Sequence, residues 1–138
     1  MRLVYVAGPY RSKYGRIGVA LNILRARRIA RKLWKLGLAV ICPHMNAALF
    51  DGTMSEDAFL AGDLEMLVRC DAVVMMPRWE HSEGSSIELI IARKRGIQAF
   101  FWTDTTDARL MLEHFACAER EAREGEEEIW TTSISTSG

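Results

Sequence analysis

Two short polar segments of the sequence contain residues that could carry chemistry. The first, residues 8–15, reads Gly-Pro-Tyr-Arg-Ser-Lys-Tyr-Gly, and its hydroxyl and cationic side chains could reach phosphate oxygens. The segment matches neither a Walker loop nor a GxGxxG pattern, so it implies neither ATP nor NAD. A tight turn with solvated charges explains the same residues equally well, and spacing alone leaves both interpretations open.

The second segment, residues 77–89, ends in Gly-Ser-Ser-Ile-Glu-Leu, with Gly84 the first of these six. The backbone N–H groups at the start of a helix favour anions. Glu88 is expected in the first turn of this helix. The helix dipole helps to keep a carboxylate ionised at that position, as a nucleophile requires. The same residues fit a capping box in which Glu88 only reaches back to the Ser85 amide. From spacing alone, the cap is the better interpretation.

Other polar residues near these segments are weaker candidates. Asp63 or Asp71 could donate a proton to a leaving group if burial raises its pKa, although each is also typical of an exposed helix or turn. The same caution applies to His44 and His81 as loop residues. Trp79 offers an indole that could stack on a base, and loop packing explains it equally well.

Alternating strands and helices must position these segments. Apolar runs predict strands over residues 3–7, 38–42, 72–76 and 97–102. Helical spacing and stop signals predict helices over residues 17–36, 55–68 (with Ser55 as N-cap), 85–95 and 107–123, and a loop over 43–52. This order predicts an α/β fold, Rossmann-like or flavodoxin-like, with a parallel sheet of four to five strands and helices on both faces. If the first strand lies beside the third, both polar segments meet at the carboxyl ends of the strands, where such sheets bind ligands.

Length and composition restrict the class of protein further. The chain has 138 residues, which we divide into one domain, 1–125, and a Ser/Thr-rich tail, 126–138, expected to be partly disordered. Its 18 basic and 18 acidic residues balance, which argues against a dedicated nucleic-acid binder. Three cysteines without metal-ligand spacing, no signal peptide and no long apolar run favour a soluble, cytoplasmic protein with reduced thiols.

Three segments together resemble the nucleoside 2-deoxyribosyltransferase superfamily. Residues 4–9 (Val-Tyr-Val-Ala-Gly-Pro) are similar to its opening strand and loop, and residues 63–74 to its central aspartate helix and third strand. Residues 79–89 are similar to its nucleophile segment, in a Trp-Glu-x-Ser-x-Gly form that resembles a small phage and bacterial branch. The resemblance covers residues 3–100 and implies the same α/β fold.

The resemblance also implies residue roles. Glu88 is similar to the nucleophile that attacks C1′ of the sugar and forms a glycosyl-enzyme intermediate. Asp63 matches the aspartate near the leaving base, Tyr5 the tyrosine that orients the nucleophile, and Gly8 the close-approach glycine. These matches favour catalysis over the cap. Six residues before the nucleophile the transferases carry an aspartate that binds the deoxyribose; Ser82 stands there instead, as in the nucleoside 5′-monophosphate N-hydrolase branch, where hydroxyls bind the phosphate.

The sequence therefore predicts a retaining, metal-independent N-glycoside hydrolase of (deoxy)nucleoside 5′-monophosphates, with no cofactor. The predicted catalytic residues are Glu88, Asp63 and Tyr5. The predicted substrate contacts are Gly8, Pro9, Tyr10, Arg11, Ser12, His44, Trp79, Ser82, Gly84 and Ser85. The alternatives are a base-exchanging 2-deoxyribosyltransferase and a non-catalytic nucleotide-binding or sensing module. The expected partners are a small-molecule nucleoside or nucleotide and further copies of the chain in a homodimer or larger oligomer, without membrane or nucleic acid.

Overall fold

A computed structural model describes residues 1–48, 50–103 and 106–135, the last range without the side chains of 106–108 and 126–135. The chain divides into two compact units, Met1–Asp104 and Thr105–Gly138. The first unit carries both polar segments singled out in the sequence. It is an α/β domain in which strands and helices alternate.

The strands of the first unit are β1 (Leu3–Ala7), β2 (Ala39–Ile41), β3 (Ala72–Met75) and β4 (Gln98–Phe101). Its helices are α1 (Gly15–Lys35), α2 (Pro43–Asn46), α3 (Glu56–Leu67) and α4 (Glu83–Lys94), with a 3-10 turn at Trp79–His81. All four predicted strands and the three long helices of this unit are confirmed, with small shifts at their ends. The N-cap predicted at Ser55 is also confirmed, since its hydroxyl accepts a hydrogen bond from the Ala58 amide at 3.2 Å.

The four strands form one parallel sheet in the order β2-β1-β3-β4. Tyr5 of β1 stands beside Ile41 of β2 and Val73 of β3, so the predicted pairing of the first and third strands is confirmed. The strand order reverses between β1 and β3. Because crossovers in parallel sheets are right-handed, α1 lies on one face of the sheet and α3 and α4 on the other.

The two central strands form the core of this unit. Residues 4–7 of β1 and all of β3 are buried, as expected for strands covered on both faces. Tyr5 and Val73 belong to a cluster that includes Leu67 of α3 and Leu89 of α4. The face of the sheet that carries Tyr5 is therefore the one against which α3 and α4 pack.

Two predicted segments differ from the structure. The loop expected over residues 43–52 begins with α2, because Pro43 suits the first turn of a helix. The second unit contains α5 (Thr106–Ser135), which extends beyond the helix predicted over residues 107–123. The Ala-, Arg- and Glu-rich stretch over residues 116–128 contains strong helix formers that extend the helix. Residues 136–138 of the predicted tail lie outside the described residues.

The cysteines form no disulfide: Cys42 and Cys70 are buried and Cys117 is exposed, all three as free thiols. No helix in the described ranges is both long enough and apolar enough to span a bilayer.

Candidate active site

The centre of the candidate site is a buried pair formed by Tyr5 and Glu88. The Tyr5 hydroxyl on β1 donates a hydrogen bond to Oε1 of Glu88 on α4 at 2.6 Å. Tyr5 is fully buried and only 6% of the Glu88 surface is exposed. This distance is typical of a hydroxyl bonded to a carboxylate, the stronger kind of hydrogen bond. The contact brings together two segments that are 83 positions apart in the sequence.

The start of α4 explains why Glu88 points inward. The helix begins at Glu83, and its N-cap is Ser82, whose hydroxyl accepts a hydrogen bond from the Ser85 amide at 3.3 Å. The capping box predicted with Ser85 as N-cap is therefore wrong, and so is the expected position of Glu88 in the first turn. Glu88 lies in the second turn, where the spacing of three and four residues places it on the buried face with Ser85 and Leu89.

The environment raises the pKa of both carboxyl groups at this site. Burial raises the pKa of Glu88 to about 7, with a further increase from the charge of Asp63 and an opposing decrease from the Tyr5 hydrogen bond. Burial also raises the pKa of Asp63, on α3, to about 6. The pKa of Tyr5 is raised far above its usual value by burial and by the nearby Glu88 carboxylate, so the phenol remains a donor. Two acids with pKa values near neutrality can exchange protons at physiological pH.

The second aspartate has a different place. Asp71 lies just before β3, where its carboxylate accepts a hydrogen bond from the Leu3 amide at 2.7 Å and lies 3.6 Å from Arg2. That is the amino end of the sheet, opposite to the edge where ligands bind. Asp71 is therefore a structural residue, and Asp63 is the aspartate that interacts with Glu88. His81, the other histidine considered, is exposed in the 3-10 turn.

The loop between β1 and α1 is held by His44 of α2. Only 4% of His44 is exposed, its Nε2 lies 3.0 Å from the Pro9 carbonyl oxygen, and its ring contacts that of Tyr10, with 5.9 Å between centroids. Burial lowers the pKa of His44, against a smaller opposing effect of the Pro9 and Gly8 carbonyls. The neutral ring donates from Nε2, because a carbonyl can only accept. His44 is thus a buried residue that supports this loop, and not the surface loop residue that the sequence also allowed.

Asn22 of α1 is a site residue that the sequence reading missed. Its side-chain amide donates to the carbonyl oxygens of Tyr10 and Arg11, both at 3.2 Å, and 6% of the residue is exposed. The available signal was an asparagine within the buried stripe of α1, between Gly18 and Ala26. A polar residue in such a stripe requires a hydrogen-bond partner.

Gly8 and Ser12 are placed by packing within the domain. A Cβ at Gly8 would lie 2.5 Å from Sδ of Met76, so the two strand ends meet at a point where only glycine fits. The Ser12 hydroxyl accepts a hydrogen bond from the Tyr14 amide at 3.2 Å and lies against Gly18 of α1, where a Cβ would be 2.0 Å away. Arg11 is exposed and pairs with Glu56 at the start of α3.

The amino end of α4 brings three further predicted residues to the same edge of the sheet. Ser82, Gly84 and Ser85 form its cap and first turn. Ser85 is 1% exposed, and its hydroxyl has no hydrogen-bond partner among the described residues. Trp79 packs against the core cluster and the Phe101 ring, with 5.7 Å between centroids, which agrees with its loop-packing interpretation.

Solved structures with this fold include two 2-deoxyribosyltransferases. The enzyme from Bacillus psychrosaccharolyticus is 18% identical with a TM-score of 0.53, and the match covers 72% of this chain and 70% of that one. The enzyme from Leishmania mexicana is 19% identical with a TM-score of 0.50, over 76% and 67% of the two chains. A conserved protein from Enterococcus faecalis V583 is 20% identical with a TM-score of 0.54, over 84% and 75%. No curated protein matches significantly.

The chain therefore has the fold of the 2-deoxyribosyltransferases, as the sequence resemblance implied. It belongs to the family described as "Domain of unknown function (DUF4406)", whose model matches residues 2–101. That match covers the whole sheet, both polar segments and the Tyr5–Glu88 pair.

Proposed function

We propose that this protein is a cytoplasmic N-glycoside hydrolase that cleaves the base–sugar bond of a (deoxy)nucleoside 5′-monophosphate. The observation that carries the proposal is the buried Tyr5–Glu88 hydrogen bond of 2.6 Å at the reversal of the strand order. Two carboxyl groups that interact, Glu88 and Asp63, match the pair with which most glycosidases displace a group at a glycosidic carbon, and the Tyr5 phenol holds the first of them.

In the first step, the Glu88 oxygen that is not bonded to Tyr5 attacks C1′ of the sugar. The C1′–N bond breaks, its electron pair goes to the base, and Asp63 donates a proton to the departing base. In the second step, water attacks C1′, its proton goes to Asp63, and the ester bond to Glu88 breaks to release the sugar 5-phosphate. Both steps invert C1′, so the overall reaction retains its configuration.

The pKa values of the two acids leave the pair with a shared proton near neutral pH, and because the pKa of Glu88 is the higher one, that proton lies mainly on Glu88. With pKa values of about 7 for Glu88 and about 6 for Asp63, the pair holds about one proton near pH 6.5. The productive arrangement has that proton on Asp63 and the charge on Glu88. Tyr5 favours this arrangement, because its hydrogen bond lowers the pKa of Glu88.

The preference for a 5′-phosphate rests on the amino end of α4. Ser82 is a neutral N-cap whose hydroxyl can still donate one hydrogen bond while it accepts one from Ser85. The buried Ser85 hydroxyl adds a second group that lacks a partner among the described residues. The dipole of α4 favours an anion at this end. Glu83, in the same turn, is exposed, so water screens its charge.

The test is to incubate the purified protein with the common ribo- and deoxyribonucleoside 5′-monophosphates and to measure free base. We expect base release from at least one of them, and a loss of at least about 1,000-fold in Glu88→Gln, which is nearly isosteric but cannot act as a nucleophile. Glu80→Gln, which changes an exposed glutamate of the 3-10 turn, is the matched control and keeps its activity. Base release by Glu88→Gln at the wild-type rate would refute the mechanism.

Base exchange is the second candidate, favoured by the fold shared with two solved 2-deoxyribosyltransferases. Supplying a deoxynucleoside donor with a second free base separates the two reactions, since transfer yields a new nucleoside and hydrolysis yields the free sugar. Tight nucleotide binding without any base release would instead favour a non-catalytic binding module.

A further inference from the structure

Three successive carbonyl oxygens of the β1–α1 loop accept hydrogen bonds from two buried side chains. His44 Nε2 bonds to Pro9 at 3.0 Å, and Asn22 Nδ2 bonds to both Tyr10 and Arg11 at 3.2 Å. Burying polar side chains is costly unless their hydrogen bonds are made. These two side chains direct those bonds to the loop backbone.

The direction of each hydrogen bond is fixed by chemistry. A carbonyl oxygen can only accept, so the Asn22 atom facing the loop is its NH₂ group and the His44 atom is Nε2–H. The other end of the Asn22 amide accepts a hydrogen bond from Arg25 at 3.4 Å, which agrees with this orientation. Both side chains therefore hold the loop through donated protons.

These contacts also determine where the loop N–H groups point. In a trans peptide group the N–H points opposite to the C=O, and the peptide bonds of this loop are trans. The three carbonyls face α1 and α2, so the N–H groups of Tyr10, Arg11 and Ser12 point away from these helices. α4 packs on the opposite face of the sheet from α1, and its amino end and this loop follow the carboxyl ends of the neighbouring strands β3 and β1. Successive N–H groups that converge on one side of a loop form an anion-binding concavity.

We propose that Asn22 is a positioning residue, which together with His44 orients the N–H groups of residues 10–12 toward the phosphate of the substrate. This inference rests on the proposed nucleotide hydrolase function. Asn22 itself contacts the loop backbone and not the substrate, so its role is to keep the anion site formed before the ligand arrives.

The first test compares Asn22→Leu, which has no donor, with Asn22→Ser, which retains one. We expect Asn22→Leu to raise KM for the 5′-monophosphate about tenfold, with kcat changed less than about twofold and KM for the matching nucleoside unchanged. Asn22→Ser gives an intermediate KM. Arg28→Ala, at an exposed position of the same helix, is the control with wild-type kinetics. Equal changes for nucleotide and nucleoside, or a change confined to kcat, would overturn the inference.

The second test does not depend on catalysis. Titration with inorganic phosphate, followed by NMR of the backbone amides, is expected to shift the signals of residues 10–12 in the wild type and not in Asn22→Leu. If the wild type cleaves no nucleotide yet shows this difference, the proposed function fails, whereas the role of Asn22 in orienting the loop N–H groups toward a phosphate stands. Shifts that are absent from the wild type, or identical in both proteins, overturn it. Thermal unfolding shows whether Asn22→Leu is folded, and if it is not, Asn22→Ser decides both tests.

Discussion

Removing the hydroxyl of Tyr5 should shift the pH dependence of the reaction to higher pH. The Tyr5 hydrogen bond lowers the pKa of Glu88, which burial has raised to about 7. A hydrogen bond to a charged group contributes about 1.5–3 kcal/mol, so losing it in Tyr5→Phe should raise this pKa by about one to two units. At pH 7 the ionised fraction of Glu88 then falls from about one half to between about one tenth and one hundredth.

The expected consequence is a loss of about 5- to 50-fold in kcat/KM at pH 7, which narrows as the pH is raised to 9. The measurement is the pH profile of kcat/KM from pH 5 to 9 for the wild type, Tyr5→Phe and Tyr14→Phe. Tyr14 is 68% exposed, so its variant controls for loss of a phenol elsewhere in the chain. A loss of activity in Tyr5→Phe that is equal at every pH would refute the reasoning, since it would show that Tyr5 does not act through the ionisation of Glu88.

Three further predictions concern stability and specificity. Folding raises the pKa of Glu88, so the folded state binds more protons than the unfolded state between about pH 4.5 and 7, and the free energy of unfolding falls as the pH rises through that window. In urea unfolding, Glu88→Gln should therefore be more stable than the wild type by on the order of 2–3 kcal/mol at pH 8, and by much less at pH 4.5. Ser82→Asp should keep the melting temperature of the wild type, since aspartate caps helices as well as serine does. Its negative charge should raise KM for the 5′-monophosphate about tenfold relative to KM for the nucleoside. A parallel change in both KM values would contradict the assignment of Ser82 to the phosphate. Gly8→Ala should lower the free energy of unfolding by about 1–3 kcal/mol, because its Cβ would lie 2.5 Å from Met76. In the control Gly62→Ala, on α3, the added Cβ meets nothing within 4 Å, and the free energy of unfolding should rise by up to about 1 kcal/mol. Similar effects of the two substitutions would show that Met76 moves aside freely.

The fold could be predicted because the sheet depends on features that are local in the sequence. The residues of β1 and β3 are continuously apolar, which indicates strands buried on both faces. Gly8-Pro9 ends the first run and Pro77 ends the second. The short α2 was missed because a single helical turn gives no periodic signal. α5 is longer than the predicted helix because the helix formers over residues 116–128 extend it, whereas the Ser/Thr-rich residues that follow them give no helical signal.

The candidate site was predicted mainly through the resemblance, since its contacts are not local. Ser82 and Ser85 are both good N-caps, and the sequence alone does not decide between them. The structure has Ser82 as the N-cap, because its hydroxyl accepts a hydrogen bond from the Ser85 amide and Ser85 and Glu88 lie on the buried face of α4. The sequence shows that Asn22 stands in the buried stripe of α1, but its partners, the Tyr10 and Arg11 carbonyl oxygens, are brought to it only by folding.

The two acids of the candidate site, Glu88 and Asp63, also have a consequence for the affinity of the proposed substrate. Their pKa values of about 7 and about 6 mean that the pair is only partly charged at neutral pH. If a nucleoside 5′-monophosphate binds here as proposed, its phosphate dianion disfavours the remaining carboxylate charge, and we expect the protein to take up protons from the buffer on binding. The heat of binding then includes the ionisation enthalpy of the buffer, and affinity for the nucleotide rises as the pH falls toward 6. The site would then adjust its own charge to the proposed anionic ligand.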